Sequence, residues 1–196
     1  MRCSTDNSTA LGHVRLAIND LSADGEQPFH SSDEHVHAVV NGELYEADAA
    51  REMLKRDAGY TFKGKSDCEI VIALYQLYGT SFLKHLRGEF ALCLYDSRTK
   101  TFLAARDRYG IKPLFYAELD GALLVAAEVK AFAPLGLQAE WDVQSVIARA
   151  YSHDQRTIFK GVSKVCQVTS MLRTQVLTIT RGEARVLLHL QCLWLY

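Results

Sequence analysis

Val36-His37-Ala38-Val39-Val40-Asn41-Gly42-Glu43-Leu44-Tyr45, with Ser66-Asp67-Cys68-Glu69 downstream, is the stretch whose reading decides the fold. The apolar run 36–40 reads as a buried strand, and it places Asn41-Gly42 where that strand ends. A side-chain amide beside a glycine can aim two N–H donors at one point, as an oxyanion hole requires. Asp67 offers a carboxylate for the α-amino group of an amino-acid ligand, and Arg15 a planar fork for its carboxylate. Each pair also has a plainer reading. Asn-Gly is a common hairpin turn, and Ser-Asp ahead of a helix is a common N-cap. At the first helical position a carboxylate is favoured by the helix dipole whether or not it holds a ligand.

Around this stretch, alternating apolar residues predict strands over 14–18, 36–40, 90–95, 101–105, 114–118 and 123–127. Asp96-Ser97-Arg98-Thr99-Lys100 and Leu119-Asp120-Gly121 sit between the last four as turns, which predicts two hairpins. Helices are expected over 47–58, 66–78 and 143–151. The second opens on Ser66 with Glu69 three residues on, the pattern of a capping box. Arg106-Asp107-Arg108 reads as a structural segment in which Arg106 pairs with Asp107.

Composition narrows the classes. The chain has 196 residues, 48% hydrophobic and 23% charged, which suits one soluble globular domain. A formal net charge of −1 argues against a dedicated nucleic-acid binder. Neither a bilayer-length apolar run nor a secretory leader stands out. The 5 cysteines are scattered without a Cys-x-x-Cys pair, which points to reduced thiols in a cytoplasmic setting rather than a disulfide framework. His35 and His37 share a strand face, but a metal site needs further ligands, so no metal is expected.

Read in order, the chain carries Leu11-Gly12-His13-Val14-Arg15-Leu16-Ala17-Ile18, Gln27-Pro28, Asn41-Gly42-Glu43-Leu44-Tyr45 and Ser66-Asp67-Cys68-Glu69. Then come Leu86-Arg87-Gly88-Glu89-Phe90-Ala91, Ala105-Arg106-Asp107-Arg108-Tyr109-Gly110-Ile111-Lys112-Pro113-Leu114 and Ala127-Glu128-Val129-Lys130-Ala131. This collinear series resembles the N-terminal class II glutamine amidotransferase domain of glutamine-dependent asparagine synthetases. The resemblance implies an α+β fold of the N-terminal-nucleophile (Ntn) hydrolase type, an αββα sandwich. It also implies a pocket for glutamine. Arg15 would bind the substrate carboxylate, with Leu16, Ala17, Ile18 and Asn19 lining the pocket. Asn41 and Gly42 would form the oxyanion hole, Glu43 would close the pocket, and Asp67 would hold the substrate amine.

In that family an N-terminal Cys is the nucleophile and its own α-amine the general base. This chain begins Met1-Arg2-Cys3-Ser4, close ahead of Arg15. An internal Cys3 has a peptide nitrogen, which cannot act as that base. The expectation is therefore an inactive domain, truncated at both ends, whose sandwich lacks its first strands and exposes a sheet edge. On this reading 1–10 is an irregular N-terminus and 11–165 a partial amidotransferase domain. Residues 166–196 are a divergent tail in place of the linker to a synthetase domain, with a hairpin over 176–188. No cofactor is expected in this chain, since ATP and magnesium belong to the family's synthetase domain. The expected partners are glutamine and a synthetase domain or subunit, with no nucleic acid and no membrane. The alternative is a non-catalytic glutamine-binding or scaffolding module.

Overall fold

The structure is a computed structural model and describes residues 2–3, 9–15, 20–152, 154–165, 177–180 and 185–191. Its centre is an antiparallel meander. β4 (Phe29–His30), β5 (Val36–Leu44), β6 (Gly88–Asp96) and β7 (Thr101–Arg106) pair in that order, and β11 (Leu177–Thr180) extends the far edge. The second sheet is mixed. β8 (Phe115–Leu119) and β9 (Ala122–Ala126) form a hairpin, flanked on one side by β10 (Val162–Lys164). On the other side β12 (Arg185–Gln191) runs parallel to β9, and β2 (Thr9–Leu11) and β3 (His13–Val14) run parallel to β12. β1 (Arg2–Cys3) closes that edge antiparallel to β2.

Strand alternation builds the layers. Val39, Ala91, Cys93, Phe102 and Ala104 point inward to meet Leu11, Leu123 and Val125 from the other sheet. The residues between them, Val40, Leu92, Leu94, Leu103 and Ala105, face outward onto helices. These are α1 (Ala47–Ala58), which contributes Leu54, and α2 (Ile70–Tyr78), buried from Ile70 to Tyr75. On the opposite outer face, Leu124 and Ala126 pack under Phe132 from a 3-10 segment, Val129–Leu135. The order is thus helix, sheet, sheet, helix, as expected for an αββα sandwich.

Several boundaries differ from those expected. β5 does not stop before Asn41-Gly42 but continues to Leu44, paired with β6 down to Leu44↔Gly88. Gly42 permits this: a Cβ there would sit 2.0 Å from the Glu89 carbonyl oxygen. The helix expected over 66–78 opens as a 3-10 turn, Asp67–Glu69, and becomes α-helical at Ile70. Ser66 makes no side-chain cap bond. Glu69 instead accepts from the N–H groups of Lys63 and Gly64, so the capping box does not form. α3 covers Val143–Ile147, and a separate 3-10 turn follows at Ala150–Ser152.

The ends of the chain depart furthest. The stretch expected to be irregular supplies β1 and β2. The expected tail hairpin is absent, because β11 and β12 join different sheets. β12 lies between β2 and β9 as an interior strand of the second sheet, and β1 and β10 are the outer strands of that path.

Candidate functional site

The site residues are placed by short polar links between segments far apart in sequence. Val40, the residue before Asn41, is held by Gln27. The Gln27 amide accepts from the Val40 N–H at 2.7 Å and donates to its carbonyl at 2.9 Å, doing the work of one more strand. This extends the ladder past the short β4 and fixes the height of Asn41 on β5. By alternation Asn41 follows Val39 onto the face toward the second sheet, half-buried and opposite Ala91.

Asp67 meets β5 directly. The Leu44 N–H donates to Asp67 Oδ2 at 2.7 Å, so the carboxylate is tied to the strand carrying Asn41 and Gly42. The neighbouring Cys68 thiol is buried, with Sγ 3.6 Å from the Gly42 carbonyl oxygen and 3.7 Å from Asp67 Oδ2. The approach to Asp67 is built by Arg51 of α1. Its guanidinium donates to the carbonyls of Gly64 and Ser66 and lies over the Phe62 ring at 3.9 Å.

Arg15 is linked to the same region through Asp20. Asp20 accepts from the Ser22 N–H and hydroxyl, and from the Lys65 N–H at 2.6 Å. The Ser22 hydroxyl, then the Lys65 and Ser22 amides, hold its carboxyl down to about 2 from an ordinary 3.8. Arg15 itself donates to the Ser22 carbonyl at 3.0 Å and lies flat against Gly25. The loop bearing Arg15 and the loop leading to Asp67 are thereby stapled by one buried carboxylate. Glycines allow the close approach: a Cβ on Gly64 would stand 2.7 Å from Asp20 Oδ2.

The remaining candidates are less gathered. Glu43 is exposed at the end of β5, opposite Glu89, which pairs with Lys112 at 3.1 Å. Leu16, Ala17, Ile18 and Asn19 lie outside the described residues. Arg106 and Asp107, expected to pair with each other, are occupied with backbone groups. Arg106 donates to the carbonyls of Gly110, Lys112 and Val165. Buried Asp107 accepts from the N–H groups of Phe90, Tyr109, Ile111 and Lys112. Among the described residues no group of three or more His, Cys, Asp or Glu side chains is arranged to hold a metal ion. No helix among them is long and apolar enough to cross a membrane.

Gln27 and Asp20 are the positioning residues that sequence reading missed. Gln27-Pro28 stood in the collinear series, but nothing in the pair signals a strand-mimicking amide.

With Asn41, Gly42 and Asp67 on one end of the sandwich, comparison with known proteins gives the family. Residues 2–183 match the glutamine amidotransferase domain family. The chain belongs to it. It is 54% identical over 155 residues to the amidase chyE of Penicillium rubens, covering 79% of this chain and 23% of that protein. It is 44% identical over 122 residues to asparagine synthetase [glutamine-hydrolyzing] 3 of Arabidopsis thaliana, covering 62% of this chain and 20% of the synthetase. The amidotransferase domain thus spans about a quarter or less of these curated relatives. Among solved structures it resembles the glutamine phosphoribosylpyrophosphate amidotransferase of B. subtilis. The TM-score is 0.54 and the identity 27%, over 63% of this chain and 28% of that one. The family and this neighbour agree with the Ntn-hydrolase sandwich.

Proposed function

We propose that this amidotransferase domain binds glutamine and serves amide formation of the asparagine-synthetase type. Asn41 and Gly42 face the substrate side-chain carbonyl, Asp67 takes the α-ammonium and Arg15 the α-carboxylate. Glu43 and residues 16–19 complete the pocket. The observation that carries this reading is the meeting of two motifs 26 positions apart. Cys68 Sγ lies 3.6 Å from the Gly42 carbonyl, while Asp67 bonds the Leu44 N–H of the same strand. An amide-and-glycine pair beside a carboxylate suits a ligand bearing both a side-chain amide and an ammonium.

Hydrolysis would release ammonia and leave glutamate, and it needs a nucleophile with a base beside it. Cys3 is not that nucleophile. Its nitrogen belongs to a peptide bond, and its backbone is paired with Ala10 in an edge strand. On this reading the domain binds glutamine and Cys3 takes no part in turning it over. A second reading is favoured by the 54% and 51% identities to two amidases, above the 44% to an asparagine synthetase. On that reading the same pocket serves an amidase.

Titration calorimetry with glutamine and with glutamate, alongside ammonia release by the wild type and Cys3→Ala, tests the proposal. Glutamine at about 100 times its Kd should stabilise the wild type by about 2.7 kcal/mol. Asp67→Ala should abolish the heat of binding. Ammonia release should be at background in both proteins. A folded wild type with no response to glutamine would leave a scaffolding module, and release above the Cys3→Ala control would restore catalysis. Hydrolysis of other primary amides in preference to glutamine would favour the amidase reading.

A further inference from the structure

We propose that β12 is a positioning strand for the candidate site, holding in register the segment that ends at Arg15. The functional part of this inference rests on the glutamine-binding reading. β2 and β3 lead straight into Arg15, yet neither pairs with the body of the second sheet. Among the described strands β2 pairs with β1 and β12, and β3 with β12. β12 supplies the connection. Its pairs Val186↔Thr9, Leu187↔Ala10, Leu190↔His13 and Gln191↔Val14 keep one unbroken parallel register. On its other side Arg185 to His189 pair with Ala122 to Ala126 of β9. The ladder that sets the height of Val14, and so of Arg15, is anchored to the sheet through residues 185–191. A slip of one residue there would turn the side chains of β2 and β3 to the opposite face. These residues lie beyond position 183, where the family match ends.

The register offers a way to cut one side of β12. Pairing with β9 ends at His189, whereas Leu190 and Gln191 pair with β3. In a parallel ladder alternate residues bond to opposite sides, so one of these two donates toward β3. Leu190→Pro with Gln191→Pro removes that N–H whichever it is. We expect faster amide exchange at His13, Val14 and Arg15 and unchanged exchange from Ala122 to Leu124, away from the end of the β9 ladder. We also expect a melting temperature within a few degrees of wild type without ligand, and a glutamine Kd at least about tenfold weaker. A chain ending at His189 makes the same cut should the double variant fail to fold. Unchanged exchange at His13 and Val14 would overturn the inference, and so would faster exchange with unchanged glutamine affinity. If the wild type itself fails to bind glutamine, faster exchange at His13 and Val14 still supports the anchoring. The glutamine reading alone then falls.

Discussion

The two sheets carry the two halves of the candidate site, and they are assembled in opposite ways. The five-stranded sheet is an antiparallel meander in which β4, β5, β6 and β7 pair with their neighbours in sequence. Asn41 and Gly42 sit in its longest ladder, nine residue pairs from Val36↔Asp96 to Leu44↔Gly88. In the other sheet β2 and β3, which bring Arg15, are reached through a strand more than 170 residues away in sequence. Even the β5–β6 pair closes over the two helices between them, but the β3–β12 pair must close almost the whole chain before it gains anything. The part of the candidate site around Asn41 and Gly42 is therefore fixed by pairing between strands consecutive in their sheet, and the part around Arg15 by the pairing most distant in sequence. Opening should begin at Thr9 to Arg15 and spare β5 and β6.

The largest expected effect tests the rigid half. Gly42→Ala would place a Cβ 2.0 Å from the Glu89 carbonyl and 2.7 Å from Phe90 Cα, at φ 155. Both contacts are backbone, so the ladder itself must part. The expected cost is about 3–4 kcal/mol in urea unfolding. Gly121→Ala, at φ 74 with nothing within 4 Å, pays for conformation alone, about 1–2 kcal/mol. Equal costs at the two sites would mean that the β5–β6 approach yields readily, and the contrast between the halves would fail.

A smaller effect probes how β6 and β7 are joined to the loop beyond them. Asp107 gathers four N–H groups, that of Phe90 on β6 and those of Tyr109, Ile111 and Lys112 in the loop. Asp107→Ala leaves these donors without the carboxylate and should cost about 2–3 kcal/mol. Asp107→Asn, with one oxygen retained as an acceptor, should lose about half as much. If the two variants melt alike, the bonds matter less than the volume, and β6 is held by packing alone.

The contrast also explains what could be read from the residues. The β6–β7 and β8–β9 hairpins were legible because alternation and turn residues lie within one short window. Helix α1 matched at Ala47 and Ala58, where Gly59 in the left-handed region ends it. Asn41-Gly42 misled because the pair is a common turn, and only the facing carbonyl of Glu89 shows why glycine is needed within a strand. The tail misled for a related reason. Its two apolar runs suit strands, but their partners are set by which ladder lacks a neighbour, a property of the assembled sheets. Ser66 and Glu69 had the spacing of a cap, yet Glu69 found the N–H groups of Lys63 and Gly64 nearer. Of the candidate site, Asn41, Gly42 and Asp67 stood out in the sequence, and the structure ties the Asp67 carboxylate to the strand that carries the other two. Gln27 and Asp20 were not, because each serves backbone groups that no side-chain pattern reveals.

The smallest effect concerns the joint between the halves, and its sign is fixed by titration. Asp20 bonds Ser22 beside Arg15 and the Lys65 N–H ahead of Asp67, and its carboxyl is lowered to about 2. In the unfolded chain it returns to about 3.8. The unfolded state then takes up the proton first as pH falls, so acid weakens folding. The contribution of Asp20 is complete above the unfolded value. It declines as pH drops through that interval and is gone below about 2. Asp20→Asn lacks the charge at every pH. Its deficit against wild type should be constant from pH 7 down to about 5 and close progressively toward pH 2. Urea unfolding of both proteins across that range measures the gap. A gap independent of pH would show that the staple acts by shape, and that nothing charged ties the loop of Arg15 to that of Asp67. A gap that closes would make acid a means of loosening Arg15 while β5 stays paired. Amide exchange at pH 3 should then rise in residues 20–25 and 63–65 before it rises at Val39 or Val40.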